Sequence, residues 1–310
     1  MKLSLVVPCY NEAENVKPFQ DAVIEAFRGC GYSYEIVYVN DGSKDATLHN
    51  LKKLHAAQEC PIRVVSFSRN FGKEAGIYAG LQHAKGDYVC IIDGDLQQRP
   101  EITREMVQIL DEKPEYDVVA AYQDGRRENF LVALLKKGFY SIINRLASVN
   151  FKHDASDFRT MRRSVVNSIL ELGEYHRFSK GIFAWIGYDT YFIPYQVCDR
   201  NAGKTKWGLR KLMNYAIDGL IGYTTKPLRM ATFLGVATAF ASMVYLIVVV
   251  LQKLVAGIDI PGYATIIVLI LLLGGMQLLC IGVIGEYVGR IFEQSKERPI
   301  YLAKEVLDYE

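Results

Sequence analysis

Two carboxylates one residue apart, Asp93 and Asp95, directly follow the apolar run Tyr88–Ile92 and lead into Leu96-Gln97. A short apolar run bounded by polar residues reads as a buried strand. Both acids then stand at a strand's end, where their oxygens can meet one hard cation, Mg²⁺ or Mn²⁺. Such an ion neutralises a departing diphosphate, as glycosyl transfer from a nucleotide-sugar requires. Three further polar segments follow apolar runs in the same way: Pro8–Glu12, Asn40–Ser43 and Ser68–Lys73. The first lacks the glycines of a dinucleotide fingerprint or a phosphate loop, which excludes those two chemistries. In the second, Asp41 suits a base or ribose, although a plain turn would look the same. The third carries Arg69 and Lys73, cations fit for an anionic ligand.

The elements that must position these loops alternate along the first 125 residues or so. Strands are expected at Leu3–Val7, Glu35–Asn40, Ile62–Phe67, Tyr88–Ile92 and Asp117–Ala121. Helices are expected at Glu12–Arg28, Ala46–Ala57, Lys73–Ala84 and Ile102–Lys113, with Asn11 and Glu14 resembling a capping box before the first. This alternation predicts an α/β fold with a mainly parallel sheet, which binds its ligands outside the carboxyl ends of the strands. Two basic amphipathic stretches follow, about 130–149 and 207–223. The second suits a membrane interface; the first reads equally well as an ordinary packing helix.

Half of the 310 residues are hydrophobic, and the net charge of +2 gives no reason to expect a nucleic-acid partner. No charge occurs from Met230 to Gln252 or from Ile260 to Gly285. Each run exceeds the roughly 20 residues that cross a hydrocarbon core as a helix. Basic residues crowd the flanks (Lys204, Lys206, Arg210, Lys211, Lys226 and Arg229 before; Arg290, Lys296, Arg298 and Lys304 after), while the connecting loop holds only Lys253 and Asp259. The positive-inside rule places both termini and the α/β domain in the cytoplasm. The expected domains are 1–226 with the amphipathic stretches, a transmembrane hairpin at 227–289, and a cytoplasmic tail at 290–310. Leu3–Val7 is too short for the core of a signal peptide. The six cysteines have no ligand-like spacing and read as small core residues of a reducing compartment.

Taken together, Val7–Glu12, Val39–Ser43, Arg69–Lys73 and Asp93–Gln97 resemble inverting glycosyltransferases of the GT-A fold. More narrowly, they resemble the polyprenyl-phosphate glycosyltransferases, which include bactoprenol glucosyltransferases and dolichol-phosphate mannose synthases. The similarity extends to Asp157–Met161, Lys180–Trp185, Arg200–Lys206 and Gly285–Arg290. Two spans followed by that last segment point to the bactoprenol branch. Gly94 is a departure, since Ala or Val is usual there, but it supplies no ligand atom.

The resemblance implies a membrane-bound hexosyltransferase that moves a sugar, glucose by default, from a UDP-sugar to undecaprenyl phosphate with inversion. Its product would be a lipid-linked sugar for modifying cell-envelope glycans. A donor carrying N-acetylglucosamine, galactose, mannose or an aminoarabinose derivative stays open, as does a non-catalytic nucleotide-sugar-binding scaffold. The resemblance assigns Asp157 as base or acceptor-orienting residue, against a carboxylate merely paired with Arg159 or another cation. It assigns Asp95 to the metal, Asp93 to metal, ribose or both, and Gln97 to the remaining shell. Pro8, Tyr10, Glu12 and Asp41 would hold uridine, and Arg200 and Lys206 would close over the diphosphate, Lys206 being equally readable as a solvated basic loop. Arg126, Arg127, Lys136 and Lys137 would gather the acceptor phosphate. A phosphomonoester is already mostly ionised at neutral pH, so positioning and electrostatics would dominate over base catalysis. Gly274-Gly275, Gly282 and Gly285 permit close helix approach. The resemblance implies a homo-oligomer, a tetramer, working with a separate flippase and a downstream transferase.

Overall fold

The computed structural model describes residues 2–123, 155–196, 198, 219, 221–256 and 262–309. It divides into two compact units, 1–219 with 298–310, and 220–297.

In the first unit the expected alternation is present: β1 (Leu3–Cys9), α1 (Val16–Phe27), β2 (Tyr34–Asn40), α2 (Thr47–Ala57), β3 (Ile62–Phe67), α3 (Lys73–His83), β4 (Tyr88–Ile91), α4 (Pro100–Glu112) and β5 (Val118–Gln123). Strands β1 to β4 are almost wholly buried. This explains their continuous apolar runs, since helices cover both faces of the sheet. Residues on one face of β1 and β2, among them Leu5 and Tyr38, pack with Phe19 of α1, Leu51 of α2 and Met106 of α4. The opposite face, with Val39, Val65 and Phe67, packs on Ala75 and Ala79 of α3.

With β6 (Ala155–Arg162), β7 (Thr190–Tyr195) and β8 (Ala303–Leu307), the described strands form one eight-stranded sheet in the order β7-β5-β6-β4-β1-β2-β3-β8. Pairs β1–β2, β1–β4, β2–β3 and β5–β7 are parallel. The sheet is nonetheless mixed, because β6 (Ala155–Arg162) runs antiparallel to β4 and β5. After it come α5 (Arg163–Glu171), α6 (Ser179–Trp185) and β7 (Thr190–Tyr195).

Two local expectations need correction. Asn11 does not cap α1: it has φ +52°, and its side chain accepts from the Lys44 amide. The helix starts only at Val16, and the Asn15 amide instead donates to Glu12. The tail after the apolar hairpin also does not stand apart from the α/β unit. Its β8 (Ala303–Leu307) extends the sheet antiparallel to β3, with Tyr301 stacked on Phe67 and donating to Gln82. Behind it Arg63 lies between fully buried Glu35 and Asp308. An edge strand leaves its ladder groups unpaired, and β8 satisfies those of β3.

The second unit is a pair of helices, α7 (Lys226–Ala256) and α8 (Tyr263–Ser295). Their stretches Lys226–Gln252 and Ile266–Ser295 are long and apolar enough to cross a membrane, and their large side chains are mostly exposed. At ~1.5 Å per residue each exceeds the ~30 Å hydrocarbon core. Helix α8 begins at Tyr263, three residues after the uncharged run begins. Thr238 Oγ1 meets Met276 Sδ at 2.7 Å across the pair, and Tyr287 donates to the Thr224 carbonyl at 2.8 Å. Among the described residues outside their own helix backbone, nothing lies within 4 Å of a Cβ built on Gly274, Gly275, Gly282 or Gly285. The two amphipathic stretches, 130–149 and almost all of 207–223, lie outside the described residues.

Candidate active site

The parallel strands bring three of the polar loops to one sheet edge, and those loops fasten one another. The Asn11 amide donates to Ser43 Oγ at 3.0 Å, Glu12 N to Thr47 Oγ1 at 2.8 Å, and Ala13 N to Asp45 Oδ2 at 3.2 Å. Asp41 is buried, and its carboxylate accepts from the backbone amides of Phe71 (2.6 Å) and Gly72 (3.0 Å). It therefore ties the loop after β2 to the loop after β3, which ends at Lys73. Gly42 makes that approach possible. It has φ +59°, and a Cβ there would overlap the Arg69 backbone and lie 2.5 Å from Asn70 N, a position that only glycine fills without strain.

Beyond β4 the chain turns sharply, with Leu96 at φ +62°. Gln98 is buried and holds Asp93 at both ends, accepting from its amide at 2.9 Å and donating to Oδ2 at 3.2 Å. Asp95 is also buried, and Oδ1 accepts the Gln97 amide at 3.1 Å. Gln97 thus meets Asp95 through its backbone. A Cβ on Gly94 would stand 3.1 Å from Val7 Cγ1, a tight fit.

The antiparallel register of β4 and β6 decides what faces these acids. Ile91 pairs with Arg159; two residues further along, Asp93 comes opposite Asp157. Lys73, the first residue of α3, reaches between them, with Nζ 2.7 Å from Asp93 Oδ1 and 3.2 Å from Asp157 Oδ2. Burial works to lower the Lys73 ammonium, but the two carboxylates outweigh it and hold it above its ordinary value. For Asp157, burial pushes upward and is overcome by Lys73, Lys180 and Arg159, leaving the carboxyl below its usual range. Its second oxygen, Oδ1, is buried with no hydrogen-bond partner among the described residues. Orphaned buried acceptors are rare, and this one lies beside the cation that also holds Asp93.

Arg159 is not the hydrogen-bonded partner of Asp157. Its guanidinium donates to the Ser156 carbonyl at 2.9 Å and lies 3.6 Å from the Phe183 ring centre, while burial lowers it to about 10. Glu74, next to Lys73, accepts from the Ser179 amide at 3.0 Å and from the Ser179 hydroxyl. Burial, and then the Asp157 charge, push the Glu74 carboxyl up to about 7 against those hydrogen bonds.

Comparison with known proteins decides the family. Residues 4–170 match the model of glycosyl transferase family 2, and residues 226–291 match the GtrB C-terminal hairpin. The chain is a family 2 glycosyltransferase. It is 41% identical over 98% of its length to a putative glycosyltransferase, CsbB, of Bacillus subtilis, covering 91% of that protein. It is 40% identical to the bactoprenol glucosyl transferase of Shigella phage SfV, with 98% of both chains covered. It is 38% identical to a prophage bactoprenol glucosyl transferase homolog of Escherichia coli, with 99% of both covered. The mixed sheet is accordingly of the GT-A kind, and the hairpin match agrees with the two long apolar helices in associating the enzyme with a membrane.

The structure thus brings Asp93, Asp95, Gln97 and Asp157 of this glycosyltransferase to one end of β4 and β6. Pro8, Tyr10, Glu12 and Asp41 lie at the ends of β1 and β2. Pro8, one residue before the end of β1, is in register with Val39 and lies 3.3 Å from a Cβ built on Gly76 of α3. Arg126, Arg127, Lys136, Lys137, Arg200 and Lys206 fall outside the described residues. Sequence reasoning underrated Lys73 as one more loop cation, and it passed over Glu74, Gln98 and Ser179. A Lys-Glu pair opening a helix straight after a polar post-strand loop was the available signal. What the pair touches depends on β6, which lies more than 80 residues away along the chain.

Proposed function

We propose that this glycosyltransferase moves glucose from UDP-glucose, with inversion, to undecaprenyl phosphate at the cytoplasmic face of the membrane. The observation that carries this is the Asp93–Lys73–Asp157 bridge with the orphaned Asp157 Oδ1. It joins the acids that end β4 to a carboxylate fit to orient an acceptor. The bactoprenol glucosyl transferases, alike along the whole chain, support the lipid acceptor and the glucosyl group. In the reaction, an acceptor phosphate oxygen forms a bond to the anomeric carbon as the bond to the UDP β-phosphate oxygen breaks. One displacement inverts the centre.

The two acids that end β4 suit a hard divalent ion. Among the described residues no cluster of three His, Cys, Asp or Glu side chains forms a closed cage. Mg²⁺ or Mn²⁺ is commonly held by one or two carboxylates, with substrate phosphates completing the shell. When bound, the ion would neutralise the departing diphosphate. Asp95 is its first ligand. Asp93 shares its oxygens with Lys73 and Gln98 and serves ion or ribose from that fixed position. Asp157 orients the acceptor, and the Lys73 charge keeps it ionised. Pro8, Tyr10, Glu12 and Asp41 shape the uridine side. Arg200 and Lys206 serve the diphosphate, and Arg126, Arg127, Lys136 and Lys137 the acceptor phosphate.

The test offers membranes containing the full chain radiolabelled UDP-sugars singly, with undecaprenyl phosphate and Mg²⁺ or Mn²⁺. Label from UDP-glucose should enter the lipid extract, and Asp95→Ala should abolish it. Absence of lipid-linked label from every donor overturns the proposal, and full activity in Asp95→Ala overturns the metal assignment. Strongest labelling from another UDP-sugar corrects the donor alone.

A further inference from the structure

Strand β8 does more than cover an edge, because its pairing with β3 runs on into the loop that carries Lys73. The register of the two strands shifts between Ser66 and Phe67, where β3 ends. Such irregularities recur beside active sites, where they re-aim side chains or end the pairing. Beyond the shift, the Ser68 amide still donates to the Leu302 carbonyl at 3.0 Å.

Next to Leu302 stands Tyr301, which touches both flanks of that loop. Its ring stacks on Phe67 with 4.8 Å between centres and meets Tyr78 edge-on at 6.5 Å. Its hydroxyl donates to Gln82 at 2.8 Å. Phe67 immediately precedes the loop, whereas Tyr78 and Gln82 belong to α3, the helix that Lys73 opens. Tyr301 therefore holds the chain on either side of Lys73.

The contacts continue from Phe67 into the loop itself. Phe67 meets Phe71 edge-on at 5.7 Å, and the Phe71 amide donates to Asp41 at 2.6 Å. Two residues further on, Lys73 lies 2.7 Å from Asp93 and 3.2 Å from Asp157. A lysine stem is flexible, so a bridge to two acids at once needs a fixed backbone beneath it. The intervening Ser68, Arg69 and Asn70 are exposed and leave that task to contacts from outside. Paired rings suit it, since they attract beyond the area they bury.

Resting on the transfer reaction and the Lys73 bridge above, we infer that Tyr301 is a positioning residue for that reaction, acting on Lys73 through Phe67, Phe71 and α3. The C-terminal strand is thereby part of the support of the active site.

The experiment measures kcat/KM with the full chain in membranes for Tyr301→Leu, Tyr301→Phe, Lys73→Met and Tyr301→Leu/Lys73→Met. Hydrogen exchange across residues 68–73 of the purified full chain is followed beside it. Glu305→Ala is the control, because it cuts a partly exposed bridge to Lys52 elsewhere on β8. Tyr301→Leu loses the stack and the hydrogen bond and should lower kcat/KM roughly tenfold. Tyr301→Phe keeps the stack and should stay within about threefold of wild type. Exchange across 68–73 should quicken in Tyr301→Leu, as a loop that has lost its contacts opens more readily. Glu305→Ala should leave both readouts unchanged. The double variant should be little worse than Lys73→Met, since residues that act through one contact are not additive. A general loss of folded enzyme would instead multiply with the Lys73 loss.

Wild-type kcat/KM in Tyr301→Leu, or losses that multiply in the double variant, overturn the proposal. So does Tyr301→Phe or Glu305→Ala as impaired as Tyr301→Leu, because the ring stack would then not be the cause. Should Tyr301→Leu fail to fold, Phe71→Leu cuts the same chain of rings at its other end, and its loss must be equally non-additive with Lys73→Met. A wild type that transfers no sugar to lipid would refute the underlying reaction, while the exchange measurement would still read the hold of Tyr301 on the loop, so the two failures are distinct.

Discussion

Replacing Lys73 with methionine removes the cation that, among the described residues, bridges Asp93 and Asp157, while keeping most of the side chain's volume. The lysine side chain is 36% exposed and that of Asp157 16%. A fully exposed pair contributes about 0.2–1 kcal/mol, whereas stripping one partner from a buried pair costs about 3–5 kcal/mol. This half-sheltered bridge falls between, at about 2 kcal/mol, or roughly a 30-fold loss in kcat/KM if transition-state binding carries it. The pH profile gives a second, independent readout. Asp157 now titrates below the ordinary carboxylate range because Lys73, Lys180 and Arg159 together overcome its burial. Without Lys73 the burial effect gains ground and its pKa rises, so the acidic limb of kcat/KM should move to higher pH. Transfer of labelled sugar to lipid, assayed from pH 5 to 8.5, measures both effects, and Lys73→Arg should restore part of each. Methionine at 73 with wild-type kcat/KM and an unmoved acidic limb would refute the reasoning.

Gly42→Ala should lower the thermal unfolding midpoint. It forces a side chain into a left-handed conformation, at about 1–3 kcal/mol, and into the Arg69–Asn70 backbone; transfer activity should fall with it, because the loop it disturbs carries Lys73. Arg63→Ala strips the counter-charge from fully buried Glu35 and should cost about 3–5 kcal/mol. Asp308→Ala, with its carboxylate half exposed, should cost less than about 1 kcal/mol in the same melting experiment. Glu74 should make stability fall between about pH 4.5 and 7, because its unfolded carboxyl ionises near ~4.3 and its folded one only at about 7. Over that window the folded state holds the extra proton, so raising the pH favours unfolding. Melting of Glu74→Gln should lack this component, and an identical pH dependence in both proteins would remove it.

The strands and helices of the first half were legible because their signals are local. Apolar runs such as Ile62–Phe67 match the periodicity of their own element, and polar residues after each run mark the loops of a parallel sheet. The two apolar helices were equally legible, since length and lack of charge alone set them apart. The capping of α1 was not, because Asn11 is drawn to Lys44 and Ser43 across a tertiary contact that outbids a local cap. The strand β8 was hidden for a similar reason: five ordinary residues after the hairpin become a strand only because β3 offers an unpaired edge.

The same division holds in the site. Asp93 and Asp95 announce themselves through position, since the end of a parallel strand is where such a sheet binds ligands. The sequence by itself therefore determined the elements of the first 125 residues or so, the apolar hairpin and the acids that follow β4. Only the tertiary structure decided that Asp157 faces Asp93, that Lys73 and not Arg159 reaches both, and that Glu74 grips Ser179. These depend on the antiparallel register of β6 against β4, which is set by packing between distant segments, and no local pattern of residues encodes it.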